Sequence, residues 1–147
     1  MRQSSGSTRT GERDLKRIHW GFVLPQKGKA HKDVTNARDD KIRSSPFWKS
    51  SFHERRCLVP ASSFAEYHPK ERNEKGHKVV VWFGLKGDEL RPPFTFAGLW
   101  RHWRGNYRDE LVEFDSYSIV TTAPNEIVKP IHPKRMPVIL KPDDHDT

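Results

Sequence analysis

Four polar side chains in two stretches of the sequence are the best candidates for chemistry: Asn36, Arg38, Glu66 and His132. Asn36 and Arg38 lie two residues apart on an extended stretch, so their side chains project to the same side. An arginine there can bind a phosphate through two hydrogen bonds, and an asparagine can orient a sugar hydroxyl or a carbonyl group. We expect all four side chains to meet in one pocket that faces a basic groove.

Glu66 follows Phe64 and Ala65 and precedes Tyr67. A carboxylate in such apolar surroundings is unfavourable unless it has a partner. A partly buried carboxylate is also suited to general acid–base catalysis. The alternative interpretation is an edge-strand glutamate that points into water.

His132 lies between Pro130 and Pro133, which stiffen the main chain around it. Lys134 and Arg135 place positive charge beside the ring and favour the neutral imidazole, the form that acts as a base or a proton shuttle. Lys134 and Arg135 are themselves candidate phosphate ligands. The alternative is an ordinary surface histidine.

Cys57 is the only cysteine, which excludes an internal disulfide and fits a reducing cytoplasm. Two arginines precede it and would lower the pKa of an exposed thiol. Leu58 and Val59 indicate instead that Cys57 is a buried strand residue. The eight histidines show no paired ligand spacing, so we expect neither a metal nor a cofactor.

The net charge of +8 points to a polyanion as partner, most often nucleic acid. Between Lys27 and Arg56 there are nine Lys or Arg residues against four Asp or Glu residues, which predicts a surface that faces phosphates. Five Trp and eight Phe residues add groups that can stack on bases, although most aromatic residues simply form core. The alternative is a solvated, charged surface with no partner.

Apolar alternation and turn residues predict the elements that must position these side chains. Strands are expected over residues 15–24, 57–59, 64–67, 77–85, 94–103, 114–122 and 137–140. Residues 26–33 are predicted to form a basic loop and residues 104–106 a hairpin loop. Ser45 and Pro46 predict the start of a short helix, and residues 124–128 a helical turn. We therefore expect an α+β fold, a predominantly antiparallel β-sheet or open barrel with short helices.

The length of 147 residues favours one domain. We expect a flexible polar N-terminus over residues 1–13, a domain over residues 14–142 that is shortened at both ends, and a tail over residues 143–147. No apolar run approaches the roughly 20 residues that a membrane-spanning helix needs, and we expect no secretion signal. The expected protein is a cytoplasmic monomer.

Seven motifs occur in a characteristic order. They are His19–Trp20–Gly21–Phe22, Thr35–Asn36–Ala37–Arg38, Arg55–Arg56–Cys57–Leu58–Val59–Pro60, Phe64–Ala65–Glu66–Tyr67, Phe96–Ala97–Gly98–Leu99–Trp100, Thr121–Thr122–Ala123–Pro124–Asn125–Glu126, and His132 through Leu140. Over residues 15–140 the chain resembles the SOS response-associated peptidase (SRAP) family, which processes abasic sites.

The resemblance implies an SRAP-like fold and a role in the DNA damage response. Members of this family bind single-stranded DNA. Their N-terminal cysteine captures the abasic site by forming a covalent thiazolidine with the sugar carbon. By motif position, Glu66 is the carboxylate for sugar ring opening and crosslink reversal, and His132 transfers protons. Asn36 is the orienting amide, Arg38 contacts phosphate and Trp20 helps to form the wall along the DNA.

The sequence departs from the family at the nucleophile. Arg2 follows Met1, and Cys57 belongs to a different motif. We therefore expect that this polypeptide cannot form the crosslink and that the active, full-length form begins upstream with Met-Cys. A non-catalytic remnant that binds single-stranded DNA is the alternative, and a hydrolase using Cys57 and His132 is a third.

Overall fold

The computed structural model describes residues 3–7, 11–86 and 91–146, with the main chain alone for residues 3–7. The strands are β1 (Gln3–Ser7), β2 (Arg13–Arg17), β3 (His19–Trp20), β4 (Phe22–Gln26), β5 (Lys29–Val34), β6 (Asn36–Arg38), β7 (Arg56–Ala61), β8 (Phe64–Arg72), β9 (Lys78–Phe83), β10 (Phe94–Tyr107), β11 (Glu110–Thr122), β12 (Met136–Pro137) and β13 (Ile139–Leu140). The helices are α1 (Lys49–Glu54) and a 3-10 helix (Pro142–Asp144). None of the described helices is long and apolar enough to cross a membrane.

Nine of the described strands form the main sheet, whose central path runs β12-β11-β10-β7-β1-β2. Its middle is the long antiparallel hairpin of β10 and β11. Two separate antiparallel ribbons, β4–β5 and β8–β9, extend from it. The expected α+β fold with a predominantly antiparallel sheet is confirmed.

The strand β11 organises the candidate residues, because three short segments pair with it. β3 and β6 pair with it in parallel, with Trp20 opposite Tyr117 and Asn36 opposite Ile119. β12, which directly follows the loop of His132, pairs with the end of β11 in antiparallel fashion. Motifs far apart in sequence therefore meet along one strand.

The core consists of two apolar clusters. One contains Cys57, Val59, Phe64, Phe94, Phe96, Tyr117, Ile119, Val128 and Met136, and the other contains Phe22, Ala37, Ile42, Trp48, Leu99 and Val120. Gly98 lets β7 and β10 approach, since a Cβ at that position would lie 2.8 Å from the Cys57 sulfur.

Several predicted boundaries are wrong. Residues 26–33 are mostly strand rather than loop, because Lys29–Val34 pairs with β4. Residues 104–106 continue β10, and the hairpin turns instead at Arg108 and Asp109, both with positive φ. The helix begins at Lys49, after turns that contain Pro46. Where a flexible N-terminus was expected, the main chain of β1 pairs with β2 and β7. Residues 1, 2, 8–10, 87–90 and 147 lie outside the described part.

Candidate functional site

Glu66 lies on the inner face of the β8–β9 ribbon, opposite Val81. Burial alternates along β8, so Phe64 and Glu66 face inward while Tyr67 faces solvent. Phe64 stacks on Phe83 with ring centroids 5.1 Å apart and joins the core, which anchors the base of the ribbon. Because Glu66 is two residues from Phe64, the packing of Phe64 in the core holds the main chain that carries the Glu66 carboxylate.

His132 is held by main-chain and ring contacts in the loop before β12. Its N–H donates to the Val128 carbonyl at 2.8 Å, and Val128 is buried in the core. Its Nδ1 lies 2.7 Å from the Arg135 carbonyl oxygen and 3.2 Å from the Arg135 nitrogen. The shorter contact fits an Nδ1–H that donates to the carbonyl, and this tautomer leaves Nε2 as the reactive nitrogen.

Nε2 of His132 faces Glu66, with 3.8 Å between it and Oε2. The imidazole is 35% exposed and the carboxylate 26% exposed, so both groups reach solvent. The gap is too long for a direct hydrogen bond, but a group placed near both atoms can bond to each. The arrangement is suited to moving protons on a bound hydroxyl group.

Arg135 connects this loop to β11 and β6. Its guanidinium donates to the Thr121 carbonyl oxygen at 2.6 Å and to the Asp39 carboxylate at 2.6 Å. The Thr122 hydroxyl donates to the other Asp39 oxygen at 2.7 Å. Hydrogen bonds from Thr122 and then from Arg135 lower the pKa of Asp39. Arg135 therefore holds the His132 ring through its main-chain carbonyl, and its own side chain is held by Asp39 and Thr121.

Asn36 and Arg38 lie on the exposed face of β6, with buried Ala37 between them. Arg38 donates to both oxygens of Asp40, at 3.0 and 2.8 Å. The hydrogen bond from Arg38 lowers the pKa of Asp40 to about 2, and the same contact raises the pKa of Arg38. The Arg38 guanidinium is therefore paired with an exposed carboxylate.

The structure brings Glu66 and His132 within 4 Å of each other, but it links Asn36 and Arg38 to them only indirectly. The link passes from Asp39, next to Arg38 in the chain, through the Arg135 side chain to the His132 ring. That all four meet in one pocket stays a prediction.

Trp20 and Lys134 are both exposed, Trp20 on β3 and Lys134 in the loop of His132. The Trp20 indole N–H donates to the Thr35 carbonyl oxygen at 3.3 Å. Gly21 follows with a φ of +119°, and a Cβ there would lie 2.8 Å from Asp33 Cβ. This close approach fixes the main chain that carries the indole.

Cys57 is buried in the core on β7, and burial raises the pKa of its thiol to about 12. A thiol in that environment stays protonated and is a poor nucleophile. This contradicts the hydrolase interpretation based on Cys57 and His132. Among the described residues, no three His, Cys, Asp or Glu side chains are placed to hold a metal ion.

The sequence analysis missed the role of Asp39 and Thr121. Thr121 is buried, and its carbonyl accepts both from the Arg135 side chain and from the Asp39 N–H. The sequence shows two aspartates directly after the Asn–Ala–Arg strand, but it does not show which basic residue they pair with. Their pairing became visible only when the parallel contact of β6 and β11 was known.

The sheet, its two ribbons and the short helices define an α+β fold that solved structures share. A protein from Bacteroides thetaiotaomicron has a TM-score of 0.68 and 28% identity, over 97% of this chain and 60% of that one. A protein from Bordetella bronchiseptica has a TM-score of 0.71 over 99% and 70%, and at 23% identity it shows the fold alone. The family model "SOS response associated peptidase (SRAP)" matches residues 2–147, so the chain belongs to the SRAP family.

Two relatives from Bacillus subtilis strain 168 are similar over most of this chain. The abasic site processing protein YoaM is 34% identical over 131 residues, which are 88% of this chain and 53% of YoaM. The abasic site processing protein YoqW is 33% identical over 128 residues, 86% of this chain and 53% of YoqW. The chain therefore spans about half the length of these relatives.

Proposed function

We propose that this protein processes abasic sites in single-stranded DNA. The support is its membership of the SRAP family, the names of its Bacillus relatives and its positive charge. The observation that carries the proposal is the 3.8 Å gap between Glu66 Oε2 and His132 Nε2. As part of this proposal, we place the protein in the cytoplasm, and at the nucleoid when it is bound to DNA.

The proposed chemistry is opening of the abasic sugar ring to its aldehyde. Glu66 accepts the proton of the hydroxyl on the anomeric carbon, the bond from that carbon to the ring oxygen breaks, and a C=O bond forms. The ring oxygen receives the proton that Nε2 of His132 carries when the ring is doubly protonated, and this transfer leaves the neutral Nδ1–H tautomer. Transfer of the proton from Glu66 to His132 across the gap restores the pair, so no proton is gained or lost. The Nδ1 contact with the Arg135 carbonyl stabilises the imidazolium before transfer.

In this proposal the remaining residues bind the strand. Asn36 orients the sugar, and Arg38 leaves Asp40 to bind a phosphate. Trp20 forms a wall for the bases, and Lys134 lies beside the backbone. Arg135 contributes positive charge while it holds the loop, because Asp39 and Thr121 already bind its guanidinium.

We assign no crosslinking role to Cys57, because its thiol is buried and its pKa is raised. A covalent thiazolidine crosslink is proposed only for a full-length form of the protein that carries an N-terminal cysteine. The second candidate function is a protein that binds single-stranded DNA without chemistry, which is favoured by the net charge of +8.

An alkoxyamine probe that reacts with the open aldehyde tests ring opening. The wild-type protein should accelerate trapping of a single-stranded abasic oligonucleotide, and Glu66→Gln should lower that acceleration by about 100-fold, within the range of acid–base catalysis. Glu71→Gln is a matched control, because Glu71 lies on the same strand and also 3.8 Å from a histidine, His68.

The control should trap aldehyde at the wild-type rate. Equal rates for Glu66→Gln and wild type would contradict the catalytic proposal. If both bind the oligonucleotide but neither accelerates trapping, the binding protein without chemistry is the correct function.

A further inference from the structure

Two surface clefts meet at Tyr107, on the β10–β11 hairpin, and none of their residues belongs to the candidate site. The first has a volume of about 410 Å³ and is lined by Lys29, Ala30, His31, Asn106, Tyr107, Arg108 and Asp109. The second, of about 630 Å³, is lined by Lys16, Arg17, Ile18, His19, Tyr107, Val112, Phe114 and Asp115. We call the two together the hairpin groove.

The hairpin groove is basic. Four cationic side chains line it, Lys16, Arg17, Lys29 and Arg108, against the carboxylates of Asp109 and Asp115. Asp115 lies 2.8 Å from Nδ1 of His102, which binds Glu113 through its other nitrogen at 2.7 Å. A histidine that donates from both nitrogens carries a positive charge, and the hydrogen bonds to Asp115 and to Glu113 favour this form by raising the pKa of His102.

The wall between the two clefts is rigid. The Tyr107 hydroxyl donates to Asp33 Oδ2 at 2.8 Å, and Asp33 Oδ1 lies 3.1 Å from His19 Nε2. The His19 ring contacts both Tyr107 and Phe114, with centroids 5.4 and 4.9 Å away. These contacts join the β4–β5 ribbon to the long hairpin, so the groove exists before any ligand binds.

We propose that the hairpin groove binds a second segment of the DNA strand, beyond the abasic nucleotide. This rests on the proposed function for the identity of the partner. Phosphates lie at Lys29 and Arg108 on one side of Tyr107 and at Lys16 and Arg17 on the other. Apolar side chains of the second cleft, Val112 and Phe114, contact a base. Cationic positions that alternate with aromatic or apolar surface are the arrangement that single strands require.

The test measures affinity for two oligonucleotides of single-stranded DNA over a range of salt. The long one has about 30 nucleotides of thymidine. The short one has about five nucleotides around one abasic site, near the lower end of the roughly 4–16 nucleotides that one single-strand-binding fold covers. Lys16→Glu/Lys29→Glu reverses one charge in each cleft. Lys75→Glu/Lys86→Glu is the matched control, because both lysines are exposed and lie outside the groove.

The groove variant should bind the long strand at least about tenfold more weakly, and its plot of log affinity against log salt should be shallower by about 1.4, for two lost phosphate contacts. Its affinity for the short strand should stay within about twofold of wild type, since that strand contacts the candidate site alone. Lys16→Gln/Lys29→Gln should show the same change of slope without reversed charge. Circular dichroism should be unchanged in all variants.

Equal weakening by the control variant, or an unchanged slope in the groove variant, would overturn the proposal. The proposed function is tested separately by the aldehyde-trapping rate on the short strand. If that rate equals the protein-free rate while the groove variant still loses affinity for the long strand, the groove stands and the proposed chemistry fails.

Discussion

We predict that the ion pair between Arg135 and Asp39 stabilises the loop that carries His132, and substitutions at the two residues test this. The perturbations are Arg135→Met, which keeps most of the apolar stem, Asp39→Asn, which keeps the shape of the side chain, and the double variant. The guanidinium bonds at 2.6 Å to both Asp39 and the Thr121 carbonyl, and its side chain is only 21% exposed. Arg135→Met therefore loses these two charged hydrogen bonds and a longer one, of 3.3 Å, from Nε to the Thr121 hydroxyl.

The magnitude follows from exposure. A hydrogen bond to a charged group contributes about 1.5–3 kcal/mol when buried, and an exposed ion pair contributes well under 1 kcal/mol. The Asp39 side chain is 42% exposed, so solvent screening reduces its share to about 1 kcal/mol. We expect Arg135→Met to lower the free energy of unfolding by about 2 kcal/mol and Asp39→Asn by about 1 kcal/mol.

Urea unfolding of the four proteins gives the coupling energy in a double-mutant cycle. We expect about 1 kcal/mol at neutral pH. Hydrogen bonds lower the pKa of Asp39 in the folded protein. The coupling energy is therefore complete at pH values above the ordinary pKa of an Asp carboxyl group, and it is lost as the pH falls through the lowered pKa of the folded protein. A coupling energy below about 0.3 kcal/mol at neutral pH, or one that does not fall in acid, would refute the reasoning.

Three further predictions concern other parts of the molecule. Gly21→Ala should lower the free energy of unfolding by about 2 kcal/mol, because φ is +119° and the new Cβ would meet Asp33. Gly28→Ala is the control: its Cβ would meet open space, so thermal unfolding should show a smaller loss of stability. The hydrogen bond to Asp115, and after it the one to Glu113, raises the pKa of His102 in the folded protein. The contribution of His102 to folding stability is therefore complete below about pH 6.5, the ordinary pKa of histidine, and it is lost as the pH rises through the raised pKa of the folded protein. NMR titration should show that raised pKa, and a stability difference between wild type and His102→Gln that grows with pH would contradict it. Cys57 should react with a thiol reagent only after urea unfolding, and fast reaction of the native protein would contradict its burial.

Local pattern was sufficient to predict most strands, because β7, β10 and β11 carry apolar runs that the core requires. Gly105 misled the turn prediction, since it lies within β10 opposite Val112 and the pairing of the hairpin continues past it. The turn falls on Arg108 and Asp109, two residues whose positive φ no local rule favours over a nearby glycine. Packing of the hairpin, rather than turn propensity, decided its length.

The candidate site was predictable in part for a similar reason. Glu66 and His132 were identifiable from their neighbours and from motif order, but their 3.8 Å approach depends on the β8–β9 ribbon and on a loop fixed at Val128. Asp39 gave no sign of its partner, because the contact with Arg135 spans 96 positions of the chain. Contacts of that range depend on the sheet order, which alternation along a strand does not encode.

The parallel pairing of β3 and β6 with one strand also sets a distance. Trp20 and Asn36 are far apart along the chain, yet they pair with Tyr117 and Ile119, two positions apart on β11, which corresponds to about 7 Å. The β4–β5 ribbon lies between β3 and β6 in the sequence. Its tip can therefore lengthen or shorten while β3 and β6 both stay paired with β11. Related chains can therefore vary widely in that ribbon and keep the indole and the amide at the same spacing.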